Sequence, residues 1–536
     1  MRKCLVAGSV LLCGVAVVLA LPVSQPVKVT GGLVSGAAGR DASVAVFKGI
    51  PFAAAPIGER RWKEPGPVAP WQGVRAASAF GPSCIQSIVQ ERKPWTYEFM
   101  AHNEISEDCL HLNVWTGAKS ASERRPVFVY IYGGGFNEGS TAVPVYDGEG
   151  LAKKGVVVVT ANYRVGILGF FVHPELTKES PNRASGNYGL LDQVAALRWV
   201  RDNIAAFGGD PNRVTIAGQS AGGMSVHSLI ASPLAKGLFH RAIVQSGGSS
   251  VGGGAINLRS QTLADVEANG VKFAQAKGAA SLVELRAMSW QKIVEPLPAP
   301  AAGAGGAPGG GGLRFSTIVD GYMLPASVRE VVAQGKHNDV PVLTGANLGE
   351  LGGISGPQAA ATLTSFTERA RRTYGPMADE FLKLYPAAND EQAAKAQAES
   401  SRDQSLVSMY LWARERAKTS KTPAYTYLWD HTLPGPDAGR YGAFHTSEVP
   451  YVLNTLDRSD RPFTDTDRAI AEMMSSYWAN FATSGNPNGK GLPTWNPTGA
   501  EHVVMEVGDK TAAIALTSDP ARFAFFEKFL LQPPPR

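Results

Sequence analysis

The stretch that decides the fold spans residues 213–222 and reads Arg-Val-Thr-Ile-Ala-Gly-Gln-Ser-Ala-Gly. Its first half, Arg213–Ala217, is a short apolar run typical of a buried strand. Its second half is a Gly-x-Ser-x-Gly pattern centred on Ser220, and a helix-like stretch follows. A serine on a sharp turn between a strand and a helix is the arrangement of a nucleophile elbow. The bare pattern arises by chance in a chain with 59 glycines, so its strand–helix context carries the interpretation.

The glycines on both sides of Ser220 have a physical purpose. Side chains at Gly218 or Gly222 would collide with the neighbouring elements of such a tight turn. The turn also leaves Ser220 at the N-terminus of a helix, where free backbone N–H groups favour negative charge. We therefore predict that Ser220 is a nucleophile.

A glycine run follows another predicted strand, at residues 126–132, and is a candidate for the oxyanion hole that a serine nucleophile needs. Gly133, Gly134 and Gly135 follow this strand directly. Acyl transfer places negative charge on a carbonyl oxygen, and preorganised N–H donors stabilise that charge. Because glycine has no Cβ, its backbone can approach a substrate closely. We predict an oxyanion hole formed by the N–H groups of Gly134, Gly135 and Ala221, the alternative being an ordinary glycine turn.

Further short apolar runs alternate with helical patterns along the chain. A helical stripe extends from Asp192 to Phe207 and ends at two glycines and Pro211, which is a stop signal. Runs that are apolar on both faces suit strands covered by helices on both sides. The alternation predicts an α/β fold with a large, mostly parallel central sheet and helices on both faces. The remaining predicted strands lie at residues 156–161, 241–245, 340–344 and 424–429.

The residues themselves leave the base and the acid open. In this class of fold, an acid and then a histidine follow the serine along the chain. His445 lies in a loop after the predicted strand at 424–429, and His431 is its rival. Glu350 follows the strand at 340–344, and Asp320 is the other candidate. Either carboxylate can in principle orient an imidazole.

The N-terminus has the pattern of an export signal. Arg2 and Lys3 precede an apolar run from Cys4 to Leu19, and compact residues suit cleavage near Ala20. The run is shorter than the roughly 20 residues that a bilayer span needs. We predict that residues 1–20 are a cleaved signal and that the protein is secreted or periplasmic, the alternative being an uncleaved anchor. Cleavage leaves two cysteines for an oxidising compartment, either bridged or free: Cys84 and Cys109.

Composition limits the partners and the number of domains. The chain has 51 Lys and Arg against 46 Asp and Glu, a net charge of +5, without a basic block. Nucleic-acid binding is therefore not expected, and no second stretch predicts a membrane span. We predict one catalytic domain over residues 27–530, with a flexible Pro/Ala/Gly-rich insertion at 296–312. A domain boundary is the alternative for that segment.

Motifs along nearly the whole mature chain resemble the carboxylesterase type-B family, which includes the cholinesterases. The resemblance implies the α/β-hydrolase fold and a serine esterase. It implies a small-molecule carboxylic ester as the substrate, with no cofactor and no metal. The motifs that carry it lie at residues 47–52, 106–114, 162–166, 186–193, 207–212 and 478–487.

The resemblance also settles the acid and the base. The family acid lies in a Gly-x-Asn-x-x-Glu segment, which Glu350 fits. The family histidine lies in a Gly-x-x-His-x-x-Glu segment, which His445 and Glu448 fit. Asp320 instead matches a structural position. The implied catalytic set is therefore Ser220, Glu350 and His445.

The same resemblance implies structural pairs and shows two departures. Cys84 and Cys109 match the first disulfide of the family. Many relatives have histidine where this chain has Tyr132, and glutamate where it has Gln219. Neither departure removes a catalytic group, but both change the polarity of the site. The implied ion pairs are Arg61 with Glu107 and Arg164 with Asp192.

Two rival functions remain, a non-catalytic adhesion or binding protein on the same scaffold and a lipase or amidase with the same triad.

Overall fold

A computed structural model describes residues 23–248, 262–296, 316–350 and 361–532. The predicted signal at 1–20 lies outside these residues, as does all but the first residue of the predicted insertion at 296–312. The assignment of 27–530 to one domain stays a prediction. Within the described ranges, no helix is both long enough and apolar enough to cross a membrane.

The described strands form one large sheet and two small ones. The large sheet has the order β16-β15-β14-β13-β12-β11-β9-β10-β8-β4-β3. The small sheets have the orders β1-β2-β5 and β6-β7. In chain order the strands are β1 (Val27–Val29), β2 (Gly32–Ser35), β3 (Ala37–Ala38), β4 (Ala45–Pro51), β5 (Val74–Ala76), β6 (Ser83–Cys84), β7 (Ile105–Ser106), β8 (His111–Thr116), β9 (Arg125–Ile131), β10 (Val157–Ala161), β11 (Gly209–Gln219), β12 (Arg241–Gln245), β13 (Val342–Asn347), β14 (Ala424–Trp429), β15 (Val503–Val507) and β16 (Ala512–Ala515).

The centre of the large sheet is parallel and its edges are antiparallel. From β10 through β9 and β11 to β15, each neighbouring pair runs parallel. Every residue of β10 and β14 is buried, so helices cover both faces there. The predicted α/β architecture is confirmed.

Two predicted strands have different ends in the structure. The run predicted at 340–344 begins at Val342, because Pro341 has no N–H to donate to the ladder. The run predicted at 213–217 begins earlier, at Gly209, which pairs with Arg125 before an irregularity in the register. Pro211 lies within that irregularity, a position in a sheet where proline is tolerated.

The helices surround the large sheet. In chain order they are α1 (Glu149–Ala152), α2 (Gly166–Phe170), α3 (Pro174–Glu179), α4 (Tyr188–Asn203), α5 (Ala221–Ala231), α6 (Leu263–Ala276), α7 (Leu282–Ala287), α8 (Trp290–Val294), α9 (Val328–Ala333), α10 (Leu363–Tyr374), α11 (Ala378–Leu384), α12 (Asp390–Ala417), α13 (Ala438–Tyr441), α14 (Val449–Val452), α15 (Asp465–Ser484) and α16 (Pro520–Leu530).

The helical stripe predicted from Asp192 to Phe207 lies on helix α4 and the turn that follows it. The helix begins one turn earlier than predicted, and a 3-10 turn over Ile204–Phe207 completes it. Gly208 then takes a left-handed conformation (φ 78°) and ends the helix, as its stop signal predicts. Helix α4 is joined to the chain after β10 by an ion pair between Arg164 and Asp192, at 2.7 Å.

Both ion pairs implied by the family resemblance are confirmed. Arg61 bonds Glu107 at 2.6 Å, and both side chains are largely buried. The Asp192 carboxylate is fully buried and accepts from the backbone N–H and the guanidinium of Arg164. Removing one partner of such a pair would leave an uncompensated buried charge, which is strongly destabilising. These pairs therefore fix the segments that carry them.

Candidate active site

Ser220 lies at a strained turn between β11 and α5. Its φ is 59° and its ψ is −123°, a backbone conformation that non-glycine residues rarely adopt. The Ser220 N–H donates to the carbonyl of Gln245 at the end of β12, at 2.8 Å. The hydroxyl is thereby held at the carboxyl edge of the parallel strands, where α/β sheets bind their ligands.

The neighbouring glycines are required by close backbone approach. A Cβ on Gly222 would lie 2.1 Å from the carbonyl oxygen of Ile131, and a Cβ on Gly218 would lie 2.5 Å from the backbone of Gly222. A Cβ on Gly133 would lie 2.9 Å from the Cβ of Ser220. The predicted collisions are therefore present, and the glycine run after β9 packs directly against the serine.

The three predicted oxyanion donors lie on these two touching segments. Gly134 has a φ of 104° and its carbonyl accepts from the N–H of Asn137, at 3.0 Å, so the glycine run turns sharply. In the described part of the chain, the N–H groups of Gly134 and Gly135 donate to no backbone acceptor. Ala221 is the first residue of α5, and the N–H of a first helical residue has no intrahelical acceptor.

Glu350 and His445 are brought together by the loops that follow β13 and β14. The Glu350 carboxylate accepts from the N–H of Asn347, the last residue of β13, at 2.8 Å. Its other oxygen is hydrogen-bonded to Nδ1 of His445. A bridge between Gly349 and Phe444 joins the two loops next to this contact. The ring of His445 is buried, so its orientation is fixed.

The charges of this pair stabilise each other. Burial favours the neutral forms of both groups, but their mutual attraction and hydrogen bond outweigh it. The pKa of His445 is therefore raised and the pKa of Glu350 is lowered. A carboxylate held in this way keeps a proton on Nδ1 and leaves the lone pair on Nε2.

The second ring nitrogen of His445 faces the elbow. Its Nε2 lies 3.3 Å from the amide nitrogen of Gln219, the residue that precedes Ser220. Gln219 is 1% exposed. Among the described residues, the Ser220 hydroxyl makes no hydrogen bond to the ring. The side chain that departs from the family pattern thus contacts the nitrogen from which a base would act.

Glu448 is a buried carboxylate next to this pair, and residue patterns alone gave it no role. It accepts from the amide of Asn347 at 2.7 Å and from the amide of Gln245 at 3.2 Å. Burial, together with the nearby charge of Glu350, raises the pKa of Glu448 to about 7. The Gly-x-x-His-x-x-Glu spacing was the one signal in the sequence that marked this residue.

The two rivals from the sequence have structural contacts elsewhere. His431 lies between Asp509, at 2.5 Å from Nδ1, and Asp467, at 2.9 Å from Nε2. Asp320 accepts from the backbone N–H groups of Tyr322 and Leu324 and closes a turn. Neither side chain bonds a residue of the elbow, whereas His445 contacts Gln219.

The other departure from the family pattern, Tyr132, bonds and stacks with Tyr163. Its hydroxyl donates to the carbonyl of Tyr163 at 3.0 Å, and the two rings stack with centroids 4.5 Å apart. Burial raises the pKa of Tyr132 far above that of an exposed tyrosine. The residue is therefore a neutral packing group directly before the glycine run.

In the described ranges, no three His, Cys, Asp or Glu side chains form a cluster suited to a metal ion.

Cys84 and Cys109 are joined by a disulfide with a Cα–Cα distance of 5.0 Å. The two cysteines are separated by 25 positions in the sequence, and the segment that the bond closes is hereafter called the disulfide loop (residues 84–109). This loop contacts both the segment after the glycine run and the segment of His445.

Comparison with known proteins gives the same class as the fold. Residues 23–526 match the carboxylesterase family. The chain is 37% identical over 468 residues to fumonisin B1 esterase of Sphingopyxis macrogoltabida, covering 84% of this chain and 81% of that one. It is 33% identical over 518 residues to human cocaine esterase, covering 92% and 89%. It is 32% identical over 494 residues to para-nitrobenzyl esterase of Bacillus subtilis, covering 88% and 92%.

The fold and these relatives together define an ester hydrolase with the α/β-hydrolase fold. More particularly, the chain belongs to the carboxylesterase family, because the match to this family covers residues 23–526, nearly the whole chain.

Proposed function

We propose that this protein is an exported serine carboxylesterase in which Ser220 is the nucleophile, His445 the base and Glu350 the orienting acid. The observation that carries the proposal is the position of the imidazole. Its Nδ1 bonds Glu350 and its Nε2 contacts Gln219, one residue before the serine. This orientation directs the lone pair of Nε2 towards the elbow.

Acylation begins when the Ser220 oxygen attacks the carbonyl carbon of the ester. Nε2 of His445 takes the hydroxyl proton as the new C–O bond forms. The contact between Nε2 and the Gln219 amide has to open by a side-chain rotation so that the hydroxyl can reach this nitrogen. The proton then passes to the leaving alcohol as the old C–O bond breaks.

The charge on the carbonyl oxygen is met by backbone N–H groups. Gly134 and Gly135 offer donors from one side and Ala221 from the other. The last of these lies at the N-terminus of α5, where the helix dipole favours negative charge. Because these donors are fixed by the packing of the glycines, they need little reorganisation during the reaction.

Deacylation repeats the sequence with water in place of the alcohol. His445 removes a proton from water, the resulting hydroxide attacks the acyl carbon, and Ser220 leaves with the proton returned to it. The products are a carboxylic acid and an alcohol. Glu350 remains ionised throughout and stabilises the imidazolium that forms in each half-reaction.

The disulfide supports the proposed location outside the cytoplasm. Disulfides form and persist in oxidising compartments and are rare in the cytosol. The bond between Cys84 and Cys109 therefore agrees with export guided by residues 1–20.

The test of the function is hydrolysis of a simple aryl ester by the wild type and by Ser220→Ala. We expect the variant to lose several orders of magnitude in kcat, the scale of other triad deletions. Ser228→Ala is the matched control, because its hydroxyl also lies on α5 but bonds the Met224 carbonyl. Only the wild type and Ser228→Ala should be labelled by an organophosphonate. A fully active Ser220→Ala protein would rule out the assignment, and an inert wild type would favour the binding-protein alternative.

A further inference from the structure

The disulfide loop touches both halves of the proposed catalytic machinery. It lies far from them in sequence, since Trp95 and His445 are 350 residues apart. On one side it reaches the segment of the base, and on the other it reaches the segment that follows the glycine run. Neither set of contacts involves a group that takes part in the chemistry proposed above.

Trp95 makes the contact with the base segment. Its indole N–H points at the carbonyl oxygen of His445, at 3.1 Å, and at the hydroxyl of Thr446, at 3.2 Å. Thr446 has a φ of 89°, which a β-branched residue rarely adopts. Such a conformation persists only when the surrounding structure holds it. The indole therefore binds the backbone at the point where the chain turns away from the imidazole.

Other side chains of the disulfide loop also contact the chain near His445. Lys93 forms an ion pair with Asp437, just before α13, at 2.5 Å. Phe99 packs edge-on against Phe444, the residue before His445. Trp95 itself is fixed by a tight hairpin, in which its backbone exchanges two hydrogen bonds with Arg92.

The other side of the loop holds the segment after the glycine run. The amide of Gln86 donates to the carbonyl of Gly139 and accepts from its N–H, each at 2.8 Å. Arg92 pairs with Glu138 at 2.5 Å. The carbonyl of Glu138 lies where a Cβ on Gly134 would be, so this segment packs directly against a proposed oxyanion donor.

We propose that the disulfide loop is a brace that holds the base and the oxyanion donors at a fixed separation, with Trp95 as the positioning residue for His445. The inference rests on the proposed function. Reacting groups must be held to within a fraction of an ångström, and a misplacement of about 1 Å can cost about 100-fold in rate. A bridge between the two segments holds them through backbone groups of His445 and Gly139 that take no part in the chemistry. Its loss therefore lowers kcat and leaves KM nearly unchanged.

The test compares Trp95→Phe with Trp71→Phe. Each change keeps an aromatic ring and removes one indole N–H that binds a backbone carbonyl. The indole of Trp71 bonds the carbonyl of Leu33, in the small N-terminal sheet, at 2.9 Å. For Trp95→Phe we expect kcat for an aryl ester to fall about tenfold, with KM within twofold of the wild type. The rate of labelling by an organophosphonate should fall in parallel, because this step also needs the base. For Trp71→Phe neither rate should change.

Equal kcat values for the two variants, with both melting temperatures close to that of the wild type, would overturn the inference. If Trp95→Phe does not fold, Gln86→Met decides the question. This half-exposed side chain keeps its length and loses both bonds to Gly139, so we expect a several-fold fall in kcat and in the labelling rate. An unchanged kcat in Gln86→Met would then overturn the brace. A wild type that neither hydrolyses esters nor binds the phosphonate would instead contradict the proposed function.

Discussion

Ser220 and His445 reach the same edge of the sheet by different means. The serine is fixed by backbone packing, because glycines let β9, β11 and α5 approach until no room is left for a Cβ. The histidine lies on a loop and is held by side chains from three other segments, namely Glu350, Gln219 and Trp95. The elbow is thus a rigid element of the sheet, whereas the base depends on a set of individual hydrogen bonds.

This difference predicts whether a substitution near the site should affect the fold or the catalytic chemistry. Filling space at the elbow should damage the fold itself, since close-packed backbone cannot yield. Changing the partners of His445 should leave the fold intact and alter the chemistry. The four predictions that follow test this contrast, beginning with the largest effect.

Gly222→Ala should break the elbow. The added methyl group would lie 2.1 Å from the Ile131 carbonyl oxygen and 2.8 Å from that of Tyr132. We expect an insoluble protein or one with no measurable esterase activity and a clearly lower melting temperature. Gly499→Ala is the control, because a Cβ there would meet only the carbonyl oxygen of Pro497, at 4.0 Å. A Gly222→Ala protein with wild-type activity and melting temperature would show that the elbow is not rigid.

Glu350→Gln should preserve the fold and remove most of the activity. An amide cannot stabilise the imidazolium, and the corresponding change of the triad aspartate to asparagine in a serine protease costs about 10⁴-fold in kcat. The pKa of His445 should fall, because the attraction of Glu350 is what raises it. The neutral base is the active form, so the acid limb of the pH profile of kcat/KM should move to lower pH.

The control for this change is Glu368→Gln, an exposed glutamate on α10. It should leave kcat and the pH profile as in the wild type. Equal losses in the two variants, or an acid limb that moves to higher pH in Glu350→Gln, would contradict the role of Glu350.

Gln219→Glu should change the pH profile more than the maximal rate. The new carboxylate would stand about 3.3 Å from Nε2 of His445. Glu350 and Glu448 already act on this ring, and burial opposes them. A third negative charge should raise the pKa of His445 further and move the acid limb of kcat/KM to higher pH. Gln275→Glu, which adds the same charge on the exposed side of α6, should leave the limb in place.

Asp467→Asn should have the smallest effect on activity and act mainly on stability. Asp467 lies in the first turn of α15 and bonds Tyr451 and His431, which flank the segment of His445. Burial would raise its pKa, but hydrogen bonds from Thr464, Tyr451 and His431 hold it at about 2. Its contribution to stability is therefore present above the ordinary pKa of an aspartate, about 3.9, and is lost as the pH falls towards 2.

The measurement is the melting temperature between pH 7 and pH 2. At neutral pH, Asp467→Asn should melt several degrees below the wild type, and the gap should close in acid. Asp465→Asn is the control, since that carboxylate lies in the same first turn of α15 but is exposed. A gap that stays constant down to pH 2 would contradict the assigned ionisation.

Much of the sheet and the elbow could be predicted from the sequence, because they follow local rules. Strands apolar on both faces require cover on both sides, and the strand–Gly-x-Ser-x-Gly–helix order permits one kind of turn. The ends of the strands do not follow local rules, since the start of β13 after Pro341 and the irregular start of β11 depend on pairing with the neighbouring strands. The choice of Glu350 over Asp320 came from a family resemblance, because each residue follows a plausible pattern on its own.

The sequence by itself determined the fold class, the position of Ser220 and the glycines that make its turn possible, because these constraints act between residues close together in the chain. Only the tertiary structure decided that Gln219 faces Nε2 of His445, that Glu448 is a buried acid, and that the indole of Trp95 bonds the His445 carbonyl. Those contacts join residues separated by about 100 to 350 positions. The first two arise because parallel strands bring their carboxyl ends to one edge of the sheet, a consequence of strand order that no local pattern contains. The third arises because the disulfide loop lies against the segment of His445.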